Sequence, residues 1–179
     1  MIITIAGTAG SGKSSVAKLL AKKLNLKHYS VGDFRREQAS KIGLTLYEYN
    51  KLGEKKAFTD NIADEWQETL GKNEKEFIID GRLSFHFIPH SYKIFLDADE
   101  KVRAQRIFGD TRKTEQFKSF EEALDKVQKR QESDKTRYIK YYKINPFDYK
   151  FYDLVVNTTN MSVEEVINFI LEKIHLNKN

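Results

Sequence analysis

Three glycines, at positions 7, 10 and 12, stand in front of Lys13 and Ser14. The run Gly7-Thr8-Ala9-Gly10-Ser11-Gly12-Lys13-Ser14 completes the spacing G-x-x-x-x-G-K-[ST]. Polyphosphate binding requires each of these residue types. Glycine adopts backbone angles that a side chain forbids and lets the main chain approach phosphate oxygens. Successive N–H groups, those of Thr8, Ala9 and Ser11 among them, then cradle anions at the positive end of the helix that begins near Gly12. Lys13 brings a mobile charge to the β and γ phosphates, and the Ser14 hydroxyl is placed to ligate Mg²⁺, with Ser15 next on the same turn. A glycine-rich turn bearing a surface lysine is the plainer alternative. The apolar run Ile2-Ile3-Thr4-Ile5-Ala6 before the loop and the helical pattern after it supply the strand–loop–helix context that the motif needs. A nucleoside triphosphate with Mg²⁺ is therefore the expected ligand.

Further residues able to handle phosphate fall in short segments. Asp80-Gly81-Arg82 ends an apolar run, where a carboxylate beside the phosphate loop can hold Mg²⁺ through water and Arg82 can reach a second phosphate. The alternative there is an ordinary Asp-Gly turn. Arg130, Asp134 and Arg137 are spaced by four and three, which puts them on one helical face. They read as an exposed ion-pair ladder, or as two arginines facing a transferring phosphoryl group with Asp134 orienting them or binding a sugar hydroxyl. Asp60 and Asp64 share a helical spacing as well. Either could accept from an amino donor of a bound ligand, but a solvated face is the expected setting. His28, His86, His90 and His175 show no metal-ligand spacing.

Composition narrows the classes. A chain of 179 residues that is 40% hydrophobic is expected to form one domain, residues 1–179, with a real core. It has no cysteine, so disulfides and thiolate metal sites are excluded. No apolar stretch approaches a membrane span and no signal peptide is apparent, so a soluble, cytoplasmic protein is expected, and a monomer. The net charge is +5, from 31 Lys+Arg against 26 Asp+Glu. The lysines are interspersed with acids, however, and form no basic stripe, which argues against a nucleic-acid partner.

These residues need a scaffold, and the periodicity supplies one. Strands are predicted over 2–6, 27–30, 76–80, 92–96 and 152–156, and the continuously apolar Phe77-Ile-Ile79, Ile94-Phe-Leu96 and Leu154-Val-Val156 are as expected of strands buried on both faces. Helices are predicted over about 12–24, 32–41, 45–53, 57–71, 99–109, 119–143 and 162–176, with Val16, Leu19, Leu20 and Leu24 on the inner side of the first. Ser119-Phe-Glu-Glu122 and Ser162-Val-Glu-Glu165 are capping boxes, and Pro146 is expected to close the long helical region. The alternation implies an α/β, doubly wound fold of three layers, a five-stranded parallel sheet with helices on both faces and its active loops at the strand C-termini. The helical stretches over about 32–71 exceed a simple crossover and read as an insertion above those loops. The polar stretch about 107–120, with Asp110-Thr-Arg112-Lys113, suits a lid.

Three segments carry a resemblance. Ser30-Val-Gly32-Asp33-Phe-Arg35-Arg36 resembles the acceptor segment of the P-loop nucleoside monophosphate kinases, and Arg130-x-x-x-Asp134-x-x-Arg137 resembles the cytidylate kinase branch. Asp80-Gly-Arg82-Leu83, the helix bearing Arg103 and Arg106, and Tyr152-Asp-Leu-Val-Val-Asn-Thr158 resemble its compact archaeal-type members. The resemblance implies a P-loop NTPase fold with a monophosphate-binding insertion and a short lid. It also implies ATP–Mg²⁺ as donor and CMP or dCMP as acceptor. Ser30, Arg36, Asp80, Arg82 and Asp134 would hold the acceptor, and Lys13, Arg106, Arg130 and Arg137 would surround the moving phosphoryl group. Arg35 is expected at the surface and Arg103 in solvent. Arg112 would stand in for a lid arginine displaced by Asp110. The loop Asn157-Thr158-Thr159-Asn160 would lie beside the donor base. Leu83 replaces an aspartate that contacts cytosine in bacterial relatives, so base recognition does not transfer there. An adenylate- or uridylate-specific kinase, an ATP-dependent switch and a polynucleotide-end kinase are the competing readings.

Overall fold

The computed structural model describes residues 1–55, 58–109 and 117–176. Its centre is the strand β1 (Ile2–Gly7), buried along its whole length. Parallel partners flank it on both sides: β3 (Phe77–Asp80), through Ile3 against Ile78, and β4 (Tyr92–Asp97), through Ile5 against Ile94. β2 (Lys27–Ser30) pairs beyond β3 and β5 (Leu154–Asn157) beyond β4, giving the order β2-β3-β1-β4-β5. Every pairing is parallel. The order reverses at β1, so the crevice at its C-terminal end is where such sheets bind ligands.

Helices cover both faces. α1 (Lys13–Leu24) and α8 (Val163–Leu176) pack on one side, where Val16, Ala17, Leu20 and Ala21 meet Val166, Ile167 and Ile170 over the sheet. Leu19, expected on the inner face, is 45% exposed. The buried stripe of α1 runs through 16, 17, 20 and 21, the two adjacent i, i+4 rows. The opposite face carries two clusters. Phe77, Ile79 and Ile88 pack with Trp66 and Leu70 of α4 (Phe58–Asn73). Leu83, Phe85 and Phe95 pack with Tyr138 and Tyr142 of α7 (Phe120–Tyr142).

Between β2 and β3 run three helices: α2 (Val31–Lys41), α3 (Leu46–Lys55) and α4. α3 starts from a capping box absent from the sequence expectations: Thr45 Oγ1 accepts from Glu48 N at 3.2 Å, and the Glu48 carboxylate accepts from Thr45 N at 2.8 Å. The box at Ser162 forms with Glu165 in the same reciprocal way. At Ser119 the hydroxyl accepts from Glu122 N at 3.3 Å, but the Glu122 carboxylate reaches Lys118 N instead.

Two short elements were not expected: α5 (Ser84–Phe87), which buries Phe85 just after β3, and a 3₁₀ turn over Tyr149–Phe151. That turn delays β5 to Leu154. α6 (Glu100–Phe108) leads towards the predicted lid, whose residues 110–116, Arg112 included, lie outside the described residues. α7 ends before Pro146, because Lys143 takes a left-handed conformation (φ 60°) whose N–H returns to Ile139 O.

Candidate active site

The loop between β1 and α1 needs its glycines for different reasons. Gly7 and Gly10 have φ of 150° and 82°. A Cβ on Gly7 would stand 2.1 Å from Leu96 O, and one on Gly10 2.5 Å from Arg103 O. Gly12 has open space around its Cβ position but φ of 90°, which turns the chain into α1. The loop is braced from within and without. Ser11 Oγ donates to Thr8 O at 2.9 Å, and Thr8 Oγ1 donates to Asp97 Oδ1 at 2.9 Å. Thr158, buried after β5, donates its hydroxyl to Ser11 O at 3.1 Å. Ala9 is buried beneath the loop, while Ser14 and Ser15 open to solvent on the first turn of α1.

Lys13 arches back over this loop, with Nζ donating to Thr8 O at 2.8 Å. Crowding by protein pushes its ammonium down to about 7; Arg82 and then Arg130 add repulsion, while Asp80 and Asp134 oppose it. Asp80 reaches this loop through Ser14, and Arg82 joins it to Asp134 through Gly7 O. A depressed lysine beside a phosphate loop is a cation awaiting an anionic partner.

Asp80 closes the site from β3. It is 5% exposed and accepts from Ser14 Oγ at 2.9 Å and from Ser30 Oγ at 3.4 Å. His28 Nε2 lies 2.8 Å from its other oxygen. The sequence reading gave His28 no role; its one signal is the period-2 placement on β2, two residues before Ser30. A serine hydroxyl and a buried carboxylate are hard oxygen donors. Among the described residues no group of three or more His, Cys, Asp or Glu could hold a metal ion. That donor set fits Mg²⁺, which takes few protein ligands and keeps water and substrate phosphates in its shell.

Arg82 spans two elements. Its Nη1 donates to Gly7 O at 2.7 Å, and its Nε pairs with Asp134 on α7. Asp134 in turn accepts from Arg137 Nη2 at 3.3 Å. Burial opposes the charge on Arg137, but Tyr138, Asp60 and Asp134 favour it and the balance lies above the usual arginine value. Asp134 and Arg137 therefore turn inward, while Arg130 on the same face stays exposed, so the ladder is solvated only at its N-terminal end. Arg137 is held between Asp134, Tyr138 and Asp60 rather than left free at the loop.

Several residues stand differently from the sequence expectation. Arg35, expected at the surface, is the buried arginine of its pair. Its Nε donates to Asn50 Oδ1 at 3.1 Å and its Nη1 to Asp60 Oδ1 at 2.5 Å. Arg36 is about half exposed and pairs with Asp33, in the turn capped by Ser30 Oγ. Asp60 is 4% exposed, and Asp64 accepts from Tyr142 OH at 2.5 Å. This face of α4 thus looks into the molecule. Arg103 is 5% exposed, donating from Nε to Ala98 O and from Nη1 to Gln131 Oε1, both at 2.9 Å. Arg106 is fixed against the loop after β5, through Thr158 Oγ1 at 3.0 Å and Thr158 O at 2.7 Å. No helix among the described residues is long and apolar enough to cross a membrane.

The chain as a whole is similar to known proteins. Residues 2–160 match the model of the Cytidylate kinase-like family. A cytidylate kinase of Archaeoglobus fulgidus is 34% identical over 99% of this chain and 97% of its own. One of Sulfurisphaera tokodaii is 36% identical over 97% and 98%. Among solved structures, an uncharacterised protein of Eubacterium ventriosum superposes with a TM-score of 0.72 at 22% identity, covering 98% of each chain. Shikimate kinase of Aquifex aeolicus superposes with a TM-score of 0.63 at 22% identity, covering 99% and 98%. These structural likenesses show the shared P-loop kinase fold. Spanning nearly the whole chain, the sequence matches show the family, and the protein belongs to the cytidylate kinase-like family.

Proposed function

We propose that the protein transfers the γ-phosphoryl group of ATP to CMP or dCMP, giving ADP and the diphosphate. The observation that carries this is the charged site at the mouth of the phosphate loop, where Lys13 returns to Thr8 O, Asp80 meets Ser14 and Arg82 joins Gly7 O to Asp134, in a chain of this family. The acceptor's phosphate oxygen attacks the γ phosphorus, a bond forms there, and the bond to the β–γ bridging oxygen breaks as ADP leaves. No protein nucleophile is required. Catalysis comes from positioning and from neutralising charge spread over the transferred group.

The loop N–H groups and Lys13 hold the donor, with Arg106 near the donor side and Arg130 facing the transferred group. Arg36 and Arg82 hold the acceptor phosphate, with Ser30 setting the turn that presents Arg36. Asp134 is the acceptor for a sugar hydroxyl. Arg137 contributes on the acceptor side, since its guanidinium lies between Asp134 and Asp60. Ser14 and, through water, Asp80 would hold Mg²⁺, which when bound supplies charge neutralisation to the phosphates. The helices over 32–71 form the acceptor-binding insertion, and the segment about 107–120 the lid that excludes water.

The competing readings lose support from the same features. A switch that only hydrolyses ATP has no use for a second set of buried arginines. An adenylate- or uridylate-specific kinase shares the chemistry and differs in the base. An ADP-release assay with ATP–Mg²⁺ and CMP, dCMP, UMP, AMP, GMP or no acceptor separates them. Turnover concentrated on CMP and dCMP is the expected result; turnover on AMP alone, or equal release without acceptor, would overturn the reading.

A further inference from the structure

Leu83 is 5% exposed and packed in the apolar cluster under α7, so it offers no polar atom to a base. If the protein distinguishes one acceptor base from another, other groups must do it. The charged residues form a sequence in space. Lys13 and Arg82 stand at the phosphate loop, Asp134 pairs with Arg82, Arg137 with Asp134, and Asp60 lies 3.8 Å beyond Arg137. In a nucleotide the sugar follows the phosphate and the base follows the sugar. With Asp134 at the sugar, the groups next in line are Asp60 and Asp64 on α4, with Arg137 and Tyr142 on α7.

The hydrogen bonding of these groups is incomplete. Among the described residues, Asp60 Oδ2 and Arg137 Nε are buried and find no hydrogen-bond partner. An unmet buried acceptor or donor costs about 1–3 kcal/mol, more when charged. Asp60 is 4% exposed and its other oxygen is bound to Arg35; the Arg137 side chain is 10% exposed. Asp64 stands one turn along α4, half-buried and within reach of a ligand, with Tyr142 OH on one of its oxygens. The subsite therefore offers carboxylate acceptors beside a guanidinium donor. The complementary ligand edge carries an amino donor next to a ring-nitrogen acceptor. Cytosine has that edge; uracil presents a carbonyl and a ring N–H in the same places.

We infer that Asp60 and Asp64, with Arg137 opposite, form the base-reading subsite for the acceptor: the carboxylates accept from the exocyclic amino group of cytosine and Arg137 donates to its ring acceptor. This rests on the kinase reading above. The geometry also explains why Arg35 is buried, since it fixes Asp60 on α4 from α2.

The test is the ratio of kcat/KM for CMP to that for UMP in wild type, Asp64→Asn and Asp60→Asn, with KM for ATP followed alongside. A carboxamide can turn its N–H₂ towards a uracil carbonyl. Each substitution is expected to lower kcat/KM for CMP about 10- to 100-fold, chiefly through KM, and to narrow the CMP/UMP ratio at least about tenfold. KM for ATP should stay within about twofold of wild type. A merely structural role would lower CMP and UMP together, and an unchanged ratio in Asp64→Asn would overturn the subsite. Should Asp60→Asn fail to fold for loss of its Arg35 partner, the Asp64→Asn ratio decides alone. A wild type that phosphorylates AMP but not CMP would instead remove the cytidylate assignment on which the subsite rests.

Discussion

The charge state of Lys13 is the most consequential single-residue feature. With its ammonium pushed down to about 7, part of the population is neutral just above that pH in the free protein. Triphosphate binding restores the charge, so at pH 8 ATP binding should take up as much as about one proton more in wild type than in Lys13→Met. Calorimetry in two buffers of different ionisation enthalpy measures this; equal uptake in the two proteins would contradict the assignment. If, as proposed, Arg130 acts on the moving group, Arg130→Ala should lower kcat about a thousandfold or more while ATP affinity changes little. Near-normal turnover in that variant would remove Arg130 from the catalytic set. The glycine-lysine-serine loop was legible in the sequence because its geometry is local, fixed by glycines within a few positions of Lys13. The choice between Arg35 and Arg36 was not. Which of two adjacent arginines turns inward is decided by Asp60 and Asn50, on helices 15 to 25 residues further along. The inward face of Asp60 and Asp64 was hidden for the same reason, since the partner of Asp64 is Tyr142, 78 residues away.

At the scale of elements, the strand–loop–helix unit depends on close backbone approach between β1 and β4. Alanine at Gly7 would place its Cβ 2.1 Å from Leu96 O at a φ of 150°. Gly7→Ala should cost about 1–3 kcal/mol in unfolding free energy and weaken ATP binding as well, since the loop must shift to accept the methyl group. Denaturant unfolding with a parallel ATP titration checks both, and an unchanged midpoint would show that the strands part at little cost. The buried strands were legible from continuous apolar runs such as Phe77-Ile78-Ile79. β5 was expected two residues too early because Tyr152 continues the apolar pattern; its ring instead packs on Phe85 and Phe95, and its hydroxyl donates to Pro146 O at 2.6 Å. α5 escaped notice because four residues are too few to show a period.

Across the whole molecule, α4 and α7 are joined by the contact between Asp64 and Tyr142, 78 residues apart in the chain. Burial lifts the Asp64 carboxyl to about 6, against the smaller lowering effect of the Tyr142 hydrogen bond. A carboxyl raised in the folded state favours folding below its unfolded value, and that contribution is lost as pH rises through about 6. Asp64→Asn should therefore match wild type in Tm near pH 4 and exceed it above pH 7 by about 1–3 °C, solvent screening keeping the effect small. Parallel Tm–pH curves would contradict that assignment. The layer architecture could be anticipated from the alternation of strands and helices, but the strand order could not, because it depends on which apolar faces meet across the sheet. The account as a whole holds that two phosphate-bearing ligands react directly within this fold. Product analysis by ion-exchange chromatography after mixing the protein with ATP, Mg²⁺ and CMP tests that most directly. The account predicts CDP and ADP in equal amounts with no inorganic phosphate; ADP with inorganic phosphate and CMP left intact would contradict it.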